Sequence, residues 1–238
     1  MQQHLNPTTV GIRWRSIRAF FNWLHQEGWI ETSPVKRIQP PRAPKQFPKM
    51  LSSSQIQALV HAAKKRSNSW QGYRNYAMIL TFLDCGLRVS ELCGLVVDDL
   101  DLTHSSLTVI GKGSRERSVY FGSRIARILR SWLSKRTLSL PANALFCSSQ
   151  GDRLTRHTVT HIVRRLANEG GLEAIQCSPH TLRHTFATEF IRNGGDPFSL
   201  QRLLGHSDIQ TTMIYVHMAG KTLREAHAKA SPIDRILD

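Results

Sequence analysis

Acidic residues are scarce in this chain. Asp and Glu number 17 against 32 Lys and Arg, so the 238 residues carry a formal charge of +15. Such a surplus argues against a cation-binding acidic surface and points to a polyanionic partner, nucleic acid above all. The plainer reading is an unusually basic soluble protein. The positive residues are dispersed rather than gathered in a tail, which favours a basic face on a folded domain. Cysteine is sparse as well. Cys85, Cys93, Cys147 and Cys177 lie far apart and form no C-x-x-C pair, so the reading is neither a disulfide framework nor a structural zinc site. No apolar run reaches the length of a membrane span, and the opening MQQHLNPTTV has no apolar core of signal-peptide length. The expectation is a soluble, cytoplasmic protein with no membrane partner. Internal repeats and low-complexity tracts are also missing.

What is present reads as helices. From Thr8 to Gly28, Val10, Ile12, Ile17, Phe20, Phe21 and Leu24 recur at spacings near three and four. Five prolines between Ser33 and Met50, interleaved with Lys36, Arg37, Arg42, Lys45 and Lys49, predict an extended basic linker. The division expected is a small helical piece over 1–33, a linker over 34–50 and a main domain over 51–238. That domain opens with a serine-capped helix in SSSQIQALVHAAKK. YRNYAMILTFLDCGL is a strongly apolar helix broken at Gly86, and RVSELCGL begins another. SLTVI and SVYF flank a Gly-Lys-Gly turn, a hairpin signal. SRIARILRSWLSKR carries an apolar stripe of Ile125, Ile128, Leu129 and Trp132, and TRHTVTHIVRRLANEGG is a further helix ended by Gly170 and Gly171. Two short helical segments, DPFSLQRLLGH and SDIQTTMIYVHM, precede a last one in GKTLREAHAKA. The fold class is mainly α with a small antiparallel β-sheet.

The chemistry concentrates in SPHTLRHTFATEF, Ser178 to Phe190. Ser178 suits an N-cap and Pro179 the first helical position. His180 and Arg183, three apart, share a face, while Leu182, Phe186 and Phe190 form a buried stripe. A helix N-terminus with free N–H groups and two basic side chains attracts an anion. A zinc helix is the rival, because His180 and His184 stand at i, i+4. The glutamate of that motif is missing, however, and Arg183 sits between the two histidines. A merely structural His–Arg pair is the bland alternative. Other candidates are weak when taken singly. Arg88 and Glu91 could be a solvated ion pair, and Lys112 at the hairpin tip could be an edge charge. His206 follows a helix-ending Gly205, and Tyr215 among Met213, Ile214 and Val216 could simply be core.

Taken together, GLRVSEL, GKGSRER, HTLRHTFAT and LLGHSDIQTTMIY, with the Val-His that follows, resemble the tyrosine recombinase (phage integrase) family, and Xer-type bacterial recombinases in particular. The resemblance runs from about residue 50 to the end and more loosely over 8–48. It implies the catalytic-domain fold of DNA breaking-and-rejoining enzymes. By position, Arg88 and Arg183 resemble the phosphate-clamping arginines and Lys112 the general acid. His180 and His206 resemble the two active-site histidines, Tyr215 the nucleophile, and Glu91 a supporting acid. The implied reaction is attack of Tyr215 on a phosphodiester to give a 3′-phosphotyrosyl bond and a 5′-hydroxyl, with no metal, cofactor or ATP. His180 is the candidate to accept the tyrosine proton, since a phenol of pKa about 10 needs help at neutral pH.

The implied partner is double-stranded DNA, with a homotetramer on two duplexes, a monomer off DNA, a second recombinase or accessory protein, and nucleoid association. The front departs from the family, since the core-binding domain of about four helices is expected here only as about its last helix and the linker, which reads either as a truncated copy or as a naturally minimal recombinase. A type IB topoisomerase, a non-catalytic relic that binds DNA and a metallohydrolase on His180 and His184 are the other readings.

Overall fold

The computed structural model describes residues 7–39, 48–111, 113, 116–136 and 143–220. The chain divides into two units at Phe47/Pro48. Lys112 and the expected helix in GKTLREAHAKA beyond Gly220 lie outside the described residues. Among those described, no helix is long and apolar enough to cross a membrane.

Among the described residues the first unit holds one helix, α1 (Pro7–Gln26), followed by turns. Proline at the first helical position costs no hydrogen bond. The start of the predicted linker is turned rather than extended, with Lys36 N–H donating to Ser33 O and Ile38 N–H to Val35 O. Ile12, Phe20 and Trp23 are exposed on α1.

The second unit begins with α2 (Ser53–Lys65), whose N-cap Ser52 and Gln55 form a reciprocal capping box that satisfies two orphan donors. A heavily buried helix, α3 (Trp70–Cys85), follows. Its apolar residues fall all round the helix, so it packs against α2 and α5 and, on another side, α7. Gly86 stops it in the left-handed conformation at φ +60°. A β-carbon there would run into the Phe186 ring, so this position needs glycine for both its backbone and its space. After α4 (Val89–Gly94) comes an antiparallel sheet in the order β1 (Leu100–Asp101), β2 (Ser106–Ile110), β3 (Glu116–Tyr120). The two-residue β1 adds a third strand to the predicted hairpin. Its register on β2 pairs Leu100 with Leu107, and β2 on β3 pairs Val109 with Arg117.

On α5 (Ser123–Lys135), Ile125, Leu129 and Trp132 of the predicted stripe are buried, each side chain contributing roughly 1.5–3 kcal/mol relative to exposure. Trp132 also donates its Nε1–H to Leu145 O at 2.8 Å and stacks on Phe146. The helices α6 (Arg156–Glu169), α7 (Pro179–Arg192), α8 (Pro197–Leu204) and α9 (Ile209–Ala219) complete the unit. Two apolar clusters result. The larger joins α2, α3, α5, α6 and the sheet, and ends on α7 at Leu182. The smaller gathers Phe186, Ala187 and Ile191 of α7 with Leu200 and Leu204 of α8 and Tyr215 of α9. So α7 is the shared wall, and its first turns lie where the two clusters meet.

Gly86→Ala should lower unfolding stability by roughly 2–4 kcal/mol, from left-handed backbone strain plus overpacking against Phe186. Urea denaturation would register this as a lower midpoint, and an unshifted midpoint would refute the stated role of Gly86.

Candidate active site

Local sequence builds the pieces before packing joins them. Ser178 accepts from Thr181 N–H and opens α7 with Pro179 behind it. That places His180, Arg183 and His184 within the first two turns. Asp196 caps α8 through Phe198 N–H and Ser199 N–H, and Gly205 ends it at φ +63°. Asp208 caps α9, which carries Thr212 and Tyr215 one turn apart. Arg88 is the N-cap residue of α4, and Glu91 reaches back to its N–H at 2.7 Å.

Folding then stacks three guanidinium groups between one carboxylate and the end of one helix. Glu91 is 6% exposed. It accepts from Arg88 Nη1 at 2.8 Å and from Arg117 Nη1 and Nη2 at 2.9 and 3.0 Å, with Arg183 Nη1 3.9 Å away. On the other side lie three successive carbonyls at the end of α8. Leu203 O accepts from Arg117 Nε at 2.8 Å, Leu204 O from Arg183 Nη2 at 2.8 Å, and Gly205 O from Arg88 Nη2 at 3.4 Å. These carbonyls have no partner within the helix and form the negative end of its dipole. Arg183 Nη1 also donates to Gly86 O at 2.7 Å, so the glycine that stops α3 anchors this arginine.

Burial first, and then Arg88, pull the Arg183 guanidinium down to about 10 despite Glu91. Burial pushes Glu91 up, but the Arg117 fork and the Arg88 N–H outweigh it and hold the carboxyl below its ordinary range. Arg88, Arg117, His206, Gly205 and Thr211 line an open cleft of about 790 Å³.

His206 follows directly. Arg183 Nη2 lies 3.2 Å from its Nε2, and its Nδ1 lies 3.0 Å from Thr212 Oγ1. A guanidinium can only donate, so Nε2 is the acceptor and the ring proton sits on Nδ1, directed at the Thr212 hydroxyl. Burial, then the positive charges of Arg183 and Arg88, lower His206 to about 4. Tyr215 is 3% exposed. Its ring lies against those of His184 and His206, and its Oη is 2.8 Å from His184 Nδ1. Burial raises the phenol, while Arg183 and Arg88 pull the other way. Burial, followed by His180 and Arg183, lowers His184 to about 4.

The structure therefore gathers Arg88, Glu91, Arg183, His206 and Tyr215. The contact on the Tyr215 oxygen differs from the sequence-based expectation: His184 holds it, and His180 is exposed on the neighbouring turn. The two rings share a face of α7 one turn apart, so the level along α7 at which α9 crosses it decides which ring meets the phenol. The sequence reading missed Arg117, Thr212 and the contact role of His184. For Arg117 a signal existed. Strand alternation puts it on the face of buried Val119, where a guanidinium requires a partner. Among the described residues no cluster of three or more His, Cys, Asp or Glu side chains stands ready for a metal.

Both site histidines should stay neutral well below the ordinary imidazole range. Their ring resonances should titrate with midpoints about 4 by NMR. The folded rings refuse protons that the unfolded chain accepts, so stability should fall as pH drops from about 6.5 towards 4. A midpoint near the ordinary value of about 6.5 for either ring would contradict this placement.

Comparison with known proteins gives the chain relatives both in sequence and in fold. The model of the phage integrase family matches residues 49–221. The chain is 36% identical to tyrosine recombinase XerC of Corynebacterium glutamicum over 94% of its own length and 72% of that protein. It is 35% identical to tyrosine recombinase XerD of Pseudomonas putida over 98% of itself and 78% of that protein. The crystal structure of XerA recombinase superposes with a TM-score of 0.67 at 30% identity, covering 94% of this chain and 76% of that one. The mainly helical fold is thus shared with a solved recombinase, and the chain belongs to the phage integrase family of tyrosine recombinases.

Proposed function

We propose that this chain is a site-specific DNA recombinase that cleaves and rejoins strands through a 3′-phosphotyrosyl bond on Tyr215, without metal or ATP. One observation carries the reading. A phenol oxygen lies on a neutral imidazole beside a cluster of arginines whose charge exceeds that of the single carboxylate within it. Such a cluster suits a phosphodiester, whose non-bridging oxygens gain charge during transfer. The surplus of +15 suits the DNA duplex that brings it.

In the proposed reaction Arg88 and Arg183 grip the non-bridging oxygens. His206 joins them by offering Nε2 once it takes up a proton or changes tautomer. Tyr215 Oη attacks phosphorus as its proton passes to a histidine. His184 Nδ1 stands at that oxygen and replaces His180 as the acceptor in this reading. The bond from phosphorus to the 5′-oxygen breaks, and Lys112 protonates the leaving oxygen. The phosphotyrosyl bond keeps the energy of the broken phosphodiester, and attack by a 5′-hydroxyl of another strand reverses the steps. His180, near the mouth of α7, would then serve the DNA backbone rather than the phenol. A type IB topoisomerase shares this chemistry, but relatives named tyrosine recombinases argue for strand exchange.

The finer organisation belongs to the same proposal. Residues 1–33 form a helical accessory piece, 34–50 a basic linker and 51–238 the catalytic domain. Four copies assemble on two duplexes, with a second recombinase or accessory protein available to bias the exchange. The segment 221–238 places Leu223, Ala226 and Ala230 at helical spacing and docks on a neighbouring copy in a ring of heterologous contacts that closes.

Tyr215→Phe should abolish covalent adducts on nicked suicide duplexes in denaturing gels while leaving duplex binding intact, since only the nucleophilic oxygen is lost. An adduct formed by that variant would sink the nucleophile assignment.

Deleting 221–238 should leave a folded unit that binds duplex DNA but forms no tetramer on it. Normal tetramer assembly by the deleted chain in analytical ultracentrifugation would rule out docking of this segment between copies.

A further inference from the structure

The strangest placement in the cleft is Arg117. It rises from β3 opposite Val109, on the face of the strand that buries Val119. A guanidinium turned inward from a strand is costly unless its donors are met. Here all three nitrogens are engaged by the protein: Nη1 and Nη2 fork onto the two oxygens of Glu91, and Nε donates to Leu203 O. Its side chain is 14% exposed, against 34% for Arg88. Arg88 spends one arm on Glu91 and makes only a long contact to Gly205 O with the other. Arg88 thus keeps capacity for an incoming oxygen, whereas Arg117 has committed its planar fork.

Two further contacts give that commitment a purpose. Arg117 grips the same carboxylate that orients Arg88 through its N–H and its Nη1. It also supports the turn that carries His206. Gly205 stands in the left-handed conformation directly over the guanidinium, and a β-carbon there would come within 3.2 Å of Arg117 Nη1. A cation under the last carbonyls of α8 satisfies orphan acceptors and the helix dipole together. We propose that Arg117 is a positioning residue of the cleavage site, holding Glu91 and the end of α8 so that Arg88 and His206 meet the phosphate in register. This rests on the strand-cleavage reading above. Arg117 acts through its neighbours and does not touch the DNA.

The test uses the full chain and a library of nicked suicide duplexes of randomised sequence, followed by adduct formation at saturating DNA. Arg117→Gln should bind duplex with the parent affinity and salt slope, yet form adduct about 10²-fold more slowly, the loss typical of a misplaced reacting group. Arg117→Lys keeps the charge but cannot fork onto Glu91 while reaching Leu203 O, and should recover only part of the rate. Combining Arg117→Gln with Glu91→Gln should cost no more than the worse single change, because both break one unit. A substrate with sulfur at the 5′ bridging position should give no relief, since the defect lies in the clamp and not in protonation of the leaving group.

The pH profile supplies a readout that mere destabilisation would not move. Without Arg117 the Glu91 carboxyl rises towards its ordinary range, so the acid limb of the cleavage profile should move to higher pH. Weaker binding with an unaltered saturated rate would make Arg117 a DNA ligand and overturn the proposal. So would an additive double mutant, or recovery on the sulfur substrate. If Arg117→Gln does not fold, Arg117→Lys decides, and a parental rate for it overturns the idea. Absence of adduct with the parent chain would overturn the cleavage reading itself, whereas adduct that depends on Tyr215 leaves Arg117 to be judged alone.

Discussion

Three arginines held between the carboxylate of Glu91 and the carbonyl end of α8 are the constraint on which the rest of the site depends. The two more enclosed cations, Arg117 and Arg183, would each be expensive there alone. Arg183 is 4% exposed and Glu91 6%. The donors of Arg117 and Arg183 are met by a mixture of one full negative charge and several partial ones, Leu203 O, Leu204 O and Gly86 O, while Arg88 makes only a long contact to Gly205 O beyond Glu91. Carbonyl dipoles meet the hydrogen-bonding requirement without cancelling charge. The cluster therefore stays positive as well as rigid, and rigid donors aimed at one place need no reorganisation when an anion arrives.

The same arrangement governs Tyr215, the proposed nucleophile. Tyr215 belongs to the small apolar cluster of α7, α8 and α9. Its position follows from Phe186 and Leu204 as much as from its hydroxyl. Burial favours the neutral phenol, and the nearby arginines favour the phenolate. With His184 neutral against its oxygen, the tyrosine rests protonated. Thr212 links the two halves, since its hydroxyl meets His206 Nδ1 one turn before Tyr215 on α9. A shift of α9 would therefore be felt by both Tyr215 and His206.

Much of the fold was legible in the residues. Gly86 after a long apolar run, Ser178-Pro179 before a helix and Gly205 after a short one are local signals, and each marks an observed boundary. The alternating runs around the hairpin were equally clear, although two-residue β1 was too short to leave a pattern. The division at Phe47/Pro48 lies within the proline-rich stretch, but the turns over Ser33–Ile38 show that proline does not by itself keep a segment extended. In the site, Arg88, Glu91, Arg183, His206 and Tyr215 could be nominated from motif order, because their sequence neighbours are distinctive.

The sequence by itself determined the helices, their caps, the basic surplus and the chemical types present, since these follow from periodicity, turn chemistry and composition, which act over a few residues. Only the tertiary structure decided which group touches which. Glu91 and Arg117 are 26 residues apart and His184 and Tyr215 are 31 apart. The choice of His184 over His180 rests on one turn of position along α7, fixed when α9 packs against that helix. The role of Arg117 depends on a strand crossing beneath the end of α8. Contacts of this kind arise from packing of distant segments, and no local pattern in the chain encodes them.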